Sequence, residues 1–154
     1  MISSLGLLSI IALLVSVGAL LLHSRLLFLR GAVDDSFKEL EELIHDRLQI
    51  IYDIASTLED SQDLKERCIK YSGREVRQIL KSMHKLHKAI TAIPVDSELK
   101  DELTENSHEI ERAVRAFNEV LVKYNRYVSK FPGRIVSFAV GLKPEKPINV
   151  NATH

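Results

Sequence analysis

The sequence predicts an all-α protein in which an N-terminal single transmembrane helix leads into an up-down antiparallel bundle of three long helices. A short apolar C-terminal segment follows the bundle. An uncharged apolar run occupies residues 5–22, and three of the four prolines follow residue 131. Between residues 33 and 131 the apolar side chains recur at helical intervals, and strong helix breakers are scarce, so this region is most simply helical.

The apolar run extends from Leu5 to Leu22, and no charged residue interrupts it. As a helix it is about 27 Å long, close to the ~30 Å thickness of the hydrocarbon core of a bilayer. Residues 1–4 form an uncharged N-terminal tail, and no small-x-small cleavage motif ends the run. A retained anchor is therefore favoured over the two alternatives, a cleaved signal peptide and a buried core helix.

The cations nearest to the run, Arg25 and Arg30, both lie on its C-terminal side. Because positively charged flanks favour the cytoplasmic side of a membrane, we expect the N-terminus outside and the C-terminal domain in the cytoplasm. Across the whole chain, 21 Lys and Arg residues balance 21 Asp and Glu residues. A neutral body lacks the basic surplus that phosphate backbones require, which argues against nucleic acid as a partner.

Three apolar stripes predict the three helices of the bundle. The first continues directly from the anchor, with Gly31 as a hinge candidate, and ends at the polar cluster 59–63. The second ends near Ile93, because the residue before Pro94 is disfavoured in helical conformation. The third alternates steps of four and three, which is typical of a coiled-coil seam. The stripes comprise Val33, Phe37, Leu40, Ile44, Ile51, Ile54 and Leu58; Leu64, Cys68, Val76, Ile79, Met83, Leu86, Ile90 and Ile93; and Leu99, Leu103, Asn106, Ile110, Ala113, Phe117, Val120, Tyr124, Tyr127 and Phe131.

Polar residues beside these stripes suggest a network. Phe117, Tyr124 and Phe131 are each seven residues apart and are expected to stack along the seam in the core. Asn118 and Asn125 flank them at the same interval, and a half-buried amide needs a hydrogen-bond partner. Arg47 occupies the position missing from the first stripe. We therefore expect Arg47 to donate to these asparagines and to fix the register of the helices.

The C-terminal end divides at residue 142. The apolar segment 134–142 either folds back over one end of the bundle or serves as an interfacial or partner-binding tail, and both interpretations stay open. The bundle domain is accordingly expected to span residues 23–142. Residues 143–154 contain Pro144 and Pro147 and end in polar residues, which predicts a disordered tail.

The sequence offers no convincing catalytic or metal-binding pattern. His84 and His87 have the i, i+3 spacing of two metal ligands, but the flanking lysines repel a cation and no further ligand completes the set. Cys68, the single cysteine, lies on an apolar stripe, where a small core residue is expected rather than a nucleophile. We therefore expect a protein that is not an enzyme and that has no catalytic residue, metal, cofactor or small-molecule substrate.

The C-terminal third also carries a motif series: Leu103-Thr104-Glu105, Phe117-Asn118, Tyr124-Asn125, Phe131-Pro132 and Gly141-Leu142-Lys143-Pro144. This series resembles the LemA family, in which a final long helix carries similar pairs seven residues apart, then Phe-Pro and a glycine-containing tail. Arg30 and Arg47 fall on a segment that is similar to the first body helix of that family. Tyr52, His108 and Val114 depart from its usual residues.

The resemblance implies a membrane-anchored helical-bundle protein of bacteria without assigned enzymatic activity. The expected function is therefore a single-pass scaffold or interaction protein of the bacterial cytoplasmic (inner) membrane. The alternative is an accessory subunit or regulator of a membrane enzyme such as a protease. Membrane lipid and an unidentified protein are the expected partners. Ala12 and Ser16, four residues apart, would let two anchors pack closely, which leaves a homo-oligomer open.

Overall fold

The computed structural model describes residues 4–57, 62–91 and 97–149, and within these residues it contains five α-helices and no β-strand. The all-helical prediction is therefore confirmed for this part of the chain. The helices are α1 (Ser4–Thr57), α2 (Gln62–Ser72), α3 (Val76–Thr91), α4 (Ser97–Ser129) and α5 (Gly133–Ala139).

The first helix, α1, is 54 residues long and joins the apolar run to the first body helix without a break. Gly31, the expected hinge, lies inside it, and no atom lies within 4 Å of the place where a Cβ would sit. A glycine in a helix costs about 1 kcal/mol relative to alanine, which is too little to end a helix this long. The predicted end of this helix, including Leu58 and most of the 59–63 cluster, lies outside the described residues.

The chain forms two compact units, and α1 and α4 contribute to both. The first unit consists of Met1–Asp34 and Glu119–Lys146, and the second consists of Asp35–Asn118 and Pro147–His154. Each unit has its own buried side chains.

In the second unit, α1 and α4 run antiparallel. The rings of Phe37 and Phe117 lie 5.7 Å apart, and further along α1 the guanidinium of Arg47 reaches the carbonyl of Leu103 at 3.3 Å. Higher numbers on α1 therefore pair with lower numbers on α4. The bundle arrangement of three long helices that the sequence predicts is not confirmed: the described residues contain five helices, of which α1 and α4 are long.

The prediction of one continuous second helix is wrong. Two helices, α2 and α3, replace it, and Gly73, Arg74 and Glu75 separate them. The amide of Arg74 donates to the carbonyl of Tyr71 at 3.0 Å, and the amide of Gln78 donates to Glu75 at 2.8 Å. Glycine is unfavourable inside a helix, because it loses more backbone freedom there than any other residue. All the stripe residues of this region that the structure describes are nevertheless buried, whereas Ile93 and Pro94 lie outside it.

The expected seam of α4 is correct in its first half and shifts in its second half. Phe117 and Tyr124 are buried as predicted, but Leu121 and Val128 are buried where Val120 and Tyr127 were expected. Phe131, also expected in the core, is 81% exposed. The physical reason is that α4 ends at Ser129, so Phe131 no longer follows the helical stripe.

In the first unit, a short helix follows α4 after a turn that contains a cis peptide bond between Phe131 and Pro132. This helix, α5, ends in a Schellman motif. The amide of Leu142 donates to the carbonyl of Ser137 at 2.9 Å, and the amide of Gly141 donates to Phe138 at 3.2 Å. Gly141 has φ +73°, a left-handed conformation that glycine adopts without steric penalty.

Candidate functional site

The most conspicuous surface of the molecule is the apolar run of α1. The large apolar side chains from Leu7 to Leu21 are each between 47% and 69% exposed. One helix of the described residues is thus long and apolar enough to cross a membrane, and a signal sequence near an N-terminus has the same properties. The side chain of Leu5 lies outside the described residues. Leu22 is half-buried and its carbonyl accepts a hydrogen bond from the Tyr127 hydroxyl at 2.8 Å.

The two arginines expected to set the orientation both contact C-terminal residues of the first unit. The guanidinium of Arg25 lies 5.8 Å from the ring centre of Tyr127, and that of Arg30 lies 6.0 Å from the ring centre of Tyr124. Arg30 also forms ion pairs with Asp34, at 3.1 Å, and with Glu145. Burial alone would lower the pKa of Arg30, but hydrogen bonds and the nearby carboxylates raise it overall. Arg30 therefore stays charged and ties α1 to the chain after α5.

Residues 142–149, here called the C-terminal strap, contradict the expectation of a disordered tail. The side-chain amide of Asn125 binds both backbone groups of Glu145. The Nδ2 of Asn125 donates to the Glu145 carbonyl at 2.8 Å, and the Oδ1 of Asn125 accepts from the Glu145 amide at 2.9 Å. The hydroxyl of Tyr124 donates to the carbonyl of Lys143 at 3.2 Å. Side-chain groups thus supply the hydrogen bonds that a strand neighbour would otherwise provide. Residues 150–154 lie outside the described residues.

The same arrangement recurs within the second unit. The Nδ2 of Asn118 donates to the carbonyl of Ile148 at 2.7 Å, and its Oδ1 accepts from the amide of Ile148 at 2.9 Å. The side chain of Ile148 is buried. Each asparagine amide therefore binds only the backbone of the strap. These hydrogen bonds do not depend on which side chain the bound strap residue carries.

The expected network of Arg47 with Asn118 and Asn125 is wrong, because both asparagines bind the strap. Arg47 instead lies in the core of the second unit and is 1% exposed. Its Nη1 donates to the amide oxygen of Asn106 at 3.4 Å and to the hydroxyl of Ser107. Asn106 in turn donates to the carbonyl of Leu43 at 3.3 Å. Burial lowers the pKa of Arg47.

The remaining residues of the motif series shape the start and end of α5. Pro132 is the N-cap residue of α5, with φ −85°. At Gly133, an added Cβ would lie 2.4 Å from the carbonyl oxygen of Tyr127, so only glycine permits this close approach. Gly141 provides the left-handed end of α5. These residues have structural roles, and none of them converges on a catalytic arrangement.

The other residues considered for chemistry are not brought together. Among the described residues, no group of three or more His, Cys, Asp or Glu side chains could hold a metal ion. The side chains of His84 and His87 lie outside the described set. Cys68 is buried, and burial raises the pKa of its thiol to about 11. Cys68 itself is 3% exposed, and it borders a surface depression that Leu48, Gln49 and Tyr52 also line.

The contacts of two residues, Asn106 and Glu145, are not predicted by the sequence. The sequence pattern assigns Asn106 to the apolar stripe of α4. Its pairing with Arg47 could be inferred from a signal in the sequence, because each of the two residues is the polar residue that interrupts the apolar stripe of its own helix. Glu145 had no such signal, because an irregular segment held through its backbone leaves no periodic pattern. Its partners, Arg30 and Asn125, are far away in sequence.

Over the residues that the structure describes, fold and site define an all-helical protein with one helix long and apolar enough to cross a membrane. No family model matches the sequence, and no curated protein or solved structure matches it either.

Proposed function

We propose that this protein is a membrane-anchored scaffold or interaction protein that works by binding and not by catalysis. Residues 5–22 of α1 cross the bilayer once, and the helical body recruits a protein partner at the membrane. The observation that carries this proposal is the exposure of the apolar side chains from Leu7 to Leu21. A contiguous apolar surface of this length requires a cover, and lipid matches it in length and chemistry.

The proposed location is the bacterial cytoplasmic (inner) membrane, with the N-terminus outside and the C-terminal domain in the cytoplasm. Arg25 and Arg30 support this orientation, because both follow the apolar run. The resemblance of the motif series to the LemA family supports a bacterial protein of this kind. Of the positions that carry the resemblance, Asn118, Tyr124 and Asn125 hold the strap. Pro132 and Gly141 lie at the two ends of α5. These contacts support a structural role for the motif series in place of an active site.

Carbonate extraction tests the anchor. Membranes from cells that express the full chain are washed at high pH, and the protein is then quantified in pellet and supernatant. The full chain is expected in the pellet, because a spanning helix is not released when peripheral contacts are broken. A variant without residues 5–22 is the matched control and is expected in the supernatant. Release of the full chain overturns the anchor.

Cross-linking in intact membranes tests the binding function. A photo-reactive residue in place of Ile69, which is 64% exposed, reports contacts of the body without disturbing its core. Capture of a second copy of the chain supports a homo-oligomeric scaffold. Stoichiometric capture of one membrane enzyme supports the alternative, an accessory subunit or regulator. An intrinsic catalytic activity of the purified full chain overturns both.

A further inference from the structure

The first unit exposes a second apolar surface, which is separate from the apolar run in sequence. Phe131, Ile135 and Phe138 are 81%, 63% and 87% exposed, and we call these three residues the α5 patch. Ile135 and Phe138 are three residues apart in α5, so they share one face of the helix. Side chains of this size are seldom left in water as a contiguous group unless a partner or a membrane covers them.

The contacts of α4 place the α5 patch relative to the apolar run. Arg30 of α1 contacts the ring of Tyr124, whereas Arg25 contacts the ring of Tyr127. The hydroxyl of Tyr127 reaches the carbonyl of Leu22. Residues closer to the C-terminus of α4 therefore lie beside residues of α1 that are closer to the apolar run.

The α5 patch continues in this direction. Phe131 follows Tyr127 by four residues, a distance of about 6 Å if counted along a helix. Gly133 then packs so closely on Tyr127 that a Cβ would collide with its backbone oxygen at 2.4 Å. This contact holds the start of α5 beside Tyr127, whose hydroxyl reaches the end of the apolar run at Leu22.

The charges around the α5 patch match a lipid surface. The first unit has eight Lys and Arg residues and three Asp and Glu residues, whereas the second has thirteen and eighteen. In the sequence, Lys130 directly precedes Phe131, and Arg134 directly precedes Ile135. Aromatic and aliphatic side chains beside cations are typical of helices that lie in the interface of a bilayer with anionic headgroups.

We infer that α5 is a second membrane contact, which inserts the α5 patch into the interfacial region of the same bilayer that α1 crosses. The inference rests on the proposed function, because it needs α1 to span. A single spanning helix has lipid on every side, so exposed side chains at this level meet lipid whichever way they point. The occupant of the patch is therefore anionic lipid at the cytoplasmic face.

Fluorescence quenching tests this contact in the full chain. With Cys68 changed to serine, a single cysteine is placed at Phe138, Leu14 or Ile69 and labelled with an environment-sensitive fluorophore. The protein is reconstituted into vesicles of phosphatidylcholine with a minority of phosphatidylglycerol. These vesicles contain a nitroxide lipid quencher either near the headgroups or near the bilayer centre. Phe138 and Ile69 are both strongly exposed, so the labels leave the core intact, and Ile69 is the matched control outside the patch.

The label at Phe138→Cys is expected to be quenched by the shallow quencher about threefold more strongly than the label at Ile69→Cys, in keeping with insertion at headgroup depth. The label at Leu14→Cys is expected to respond most to the deep quencher. Quenching at Leu14 but not at Phe138 overturns the α5 contact and leaves the anchor standing. Absence of quenching at Leu14 overturns the anchor and the inference built on it. Ile135→Cys, on the same face of α5, repeats the measurement at a second position.

Discussion

Arg47 lies in the core of the second unit, where its Nη1 donates to the carbonyl of Leu103 and to the amide oxygen of Asn106. Removing a charge from water is costly, and a buried arginine is tolerated only where hydrogen bonds compensate for lost hydration. Removing one partner of such a buried pair lowers the stability more than replacing both partners with apolar residues. Comparing single and double substitutions therefore tests whether Arg47 and Asn106 form a coupled pair.

Asn106→Leu is expected to destabilise the protein by about 3 kcal/mol, because it removes an acceptor from a buried guanidinium. The double variant Arg47→Met with Asn106→Leu should recover most of that loss, since apolar residues then fill the site. The free energy of unfolding in urea measures both. Arg112→Met, at an exposed position of α4, is the control and should change stability by less than about 0.5 kcal/mol. If the loss of stability in the double variant equals the sum of the losses in Arg47→Met and Asn106→Leu alone, the coupling is refuted.

Cys68 provides a prediction about pH. Burial raises the pKa of its thiol to about 11 from an ordinary value of 9.0, so folding keeps the thiol neutral over this interval. Stability from this group is fully present below pH 9 and is lost as the pH rises toward 11. The rate of alkylation by iodoacetamide should therefore inflect near pH 11 in the folded chain. In urea it should inflect near pH 9. An inflection near pH 9 in both conditions would show that the thiol is accessible.

At the scale of the elements, the strap depends on two asparagines of α4 and not on a periodic apolar pattern. Asn125→Ala removes both hydrogen bonds to the backbone of Glu145. The strap should then open more often in the first unit, and a protease that cleaves after glutamate should cut at Glu145 about tenfold faster. Asn149→Ala is the matched control, because Asn149 is exposed.

Limited proteolysis followed by mass spectrometry measures the cleavage at Glu145. Circular dichroism of the same samples should show unchanged helix content, because the Asn125 side chain bonds the strap and α4 keeps its own backbone hydrogen bonds. Equal cleavage rates in Asn125→Ala, Asn149→Ala and the unmodified chain would mean that the asparagine does not hold the strap.

The elements also show which features a sequence reveals. The apolar stripes correctly identify the buried faces of α1, α2, α3 and the first half of α4, because burial repeats with the helical period. They do not locate the break at Gly73, since the buried residues Cys68 and Val76 lie on either side of it. They place Phe131 in the core because nothing in the periodicity marks the end of α4 at Ser129.

The candidate site was recognisable in its parts and not in its pairing. The sequence singles out Arg47, Asn118 and Asn125 as polar residues beside apolar stripes. It suggests that they bind one another, whereas the structure pairs Arg47 with Asn106 and both asparagines with strap backbone. Every residue has a backbone carbonyl, and nearly every residue has a backbone amide. When a side chain binds backbone groups, residue types therefore do not show which residue is its partner.

At the scale of the whole molecule, a neutral total conceals an uneven distribution of charge. The first unit, which contains the apolar run, has a surplus of cations, and the second has a surplus of anions. Cationic residues near a spanning helix favour retention on the cytoplasmic side. The six Lys and Arg residues between Glu119 and Lys146 are far from Arg25 and Arg30 in sequence. They lie in the same unit as the apolar run, but only Arg25 and Arg30 are close enough to the run in sequence to contribute to this bias.

The positions of Arg25 and Arg30 after the apolar run predict that the body lies in the cytoplasm. The native Cys68 is a poor reporter of its location, because its thiol is buried and has a raised pKa. Ile69 is 64% exposed, so a cysteine placed there in a Cys68→Ser background is expected to react in the folded chain. In intact bacterial spheroplasts an impermeant maleimide should leave this cysteine unlabelled, and permeabilisation should make labelling complete. Arg25→Glu with Arg30→Glu should raise the labelled fraction in intact spheroplasts if the two arginines set the orientation. Labelling of the otherwise unmodified chain before permeabilisation would place the body outside and reverse the proposed topology.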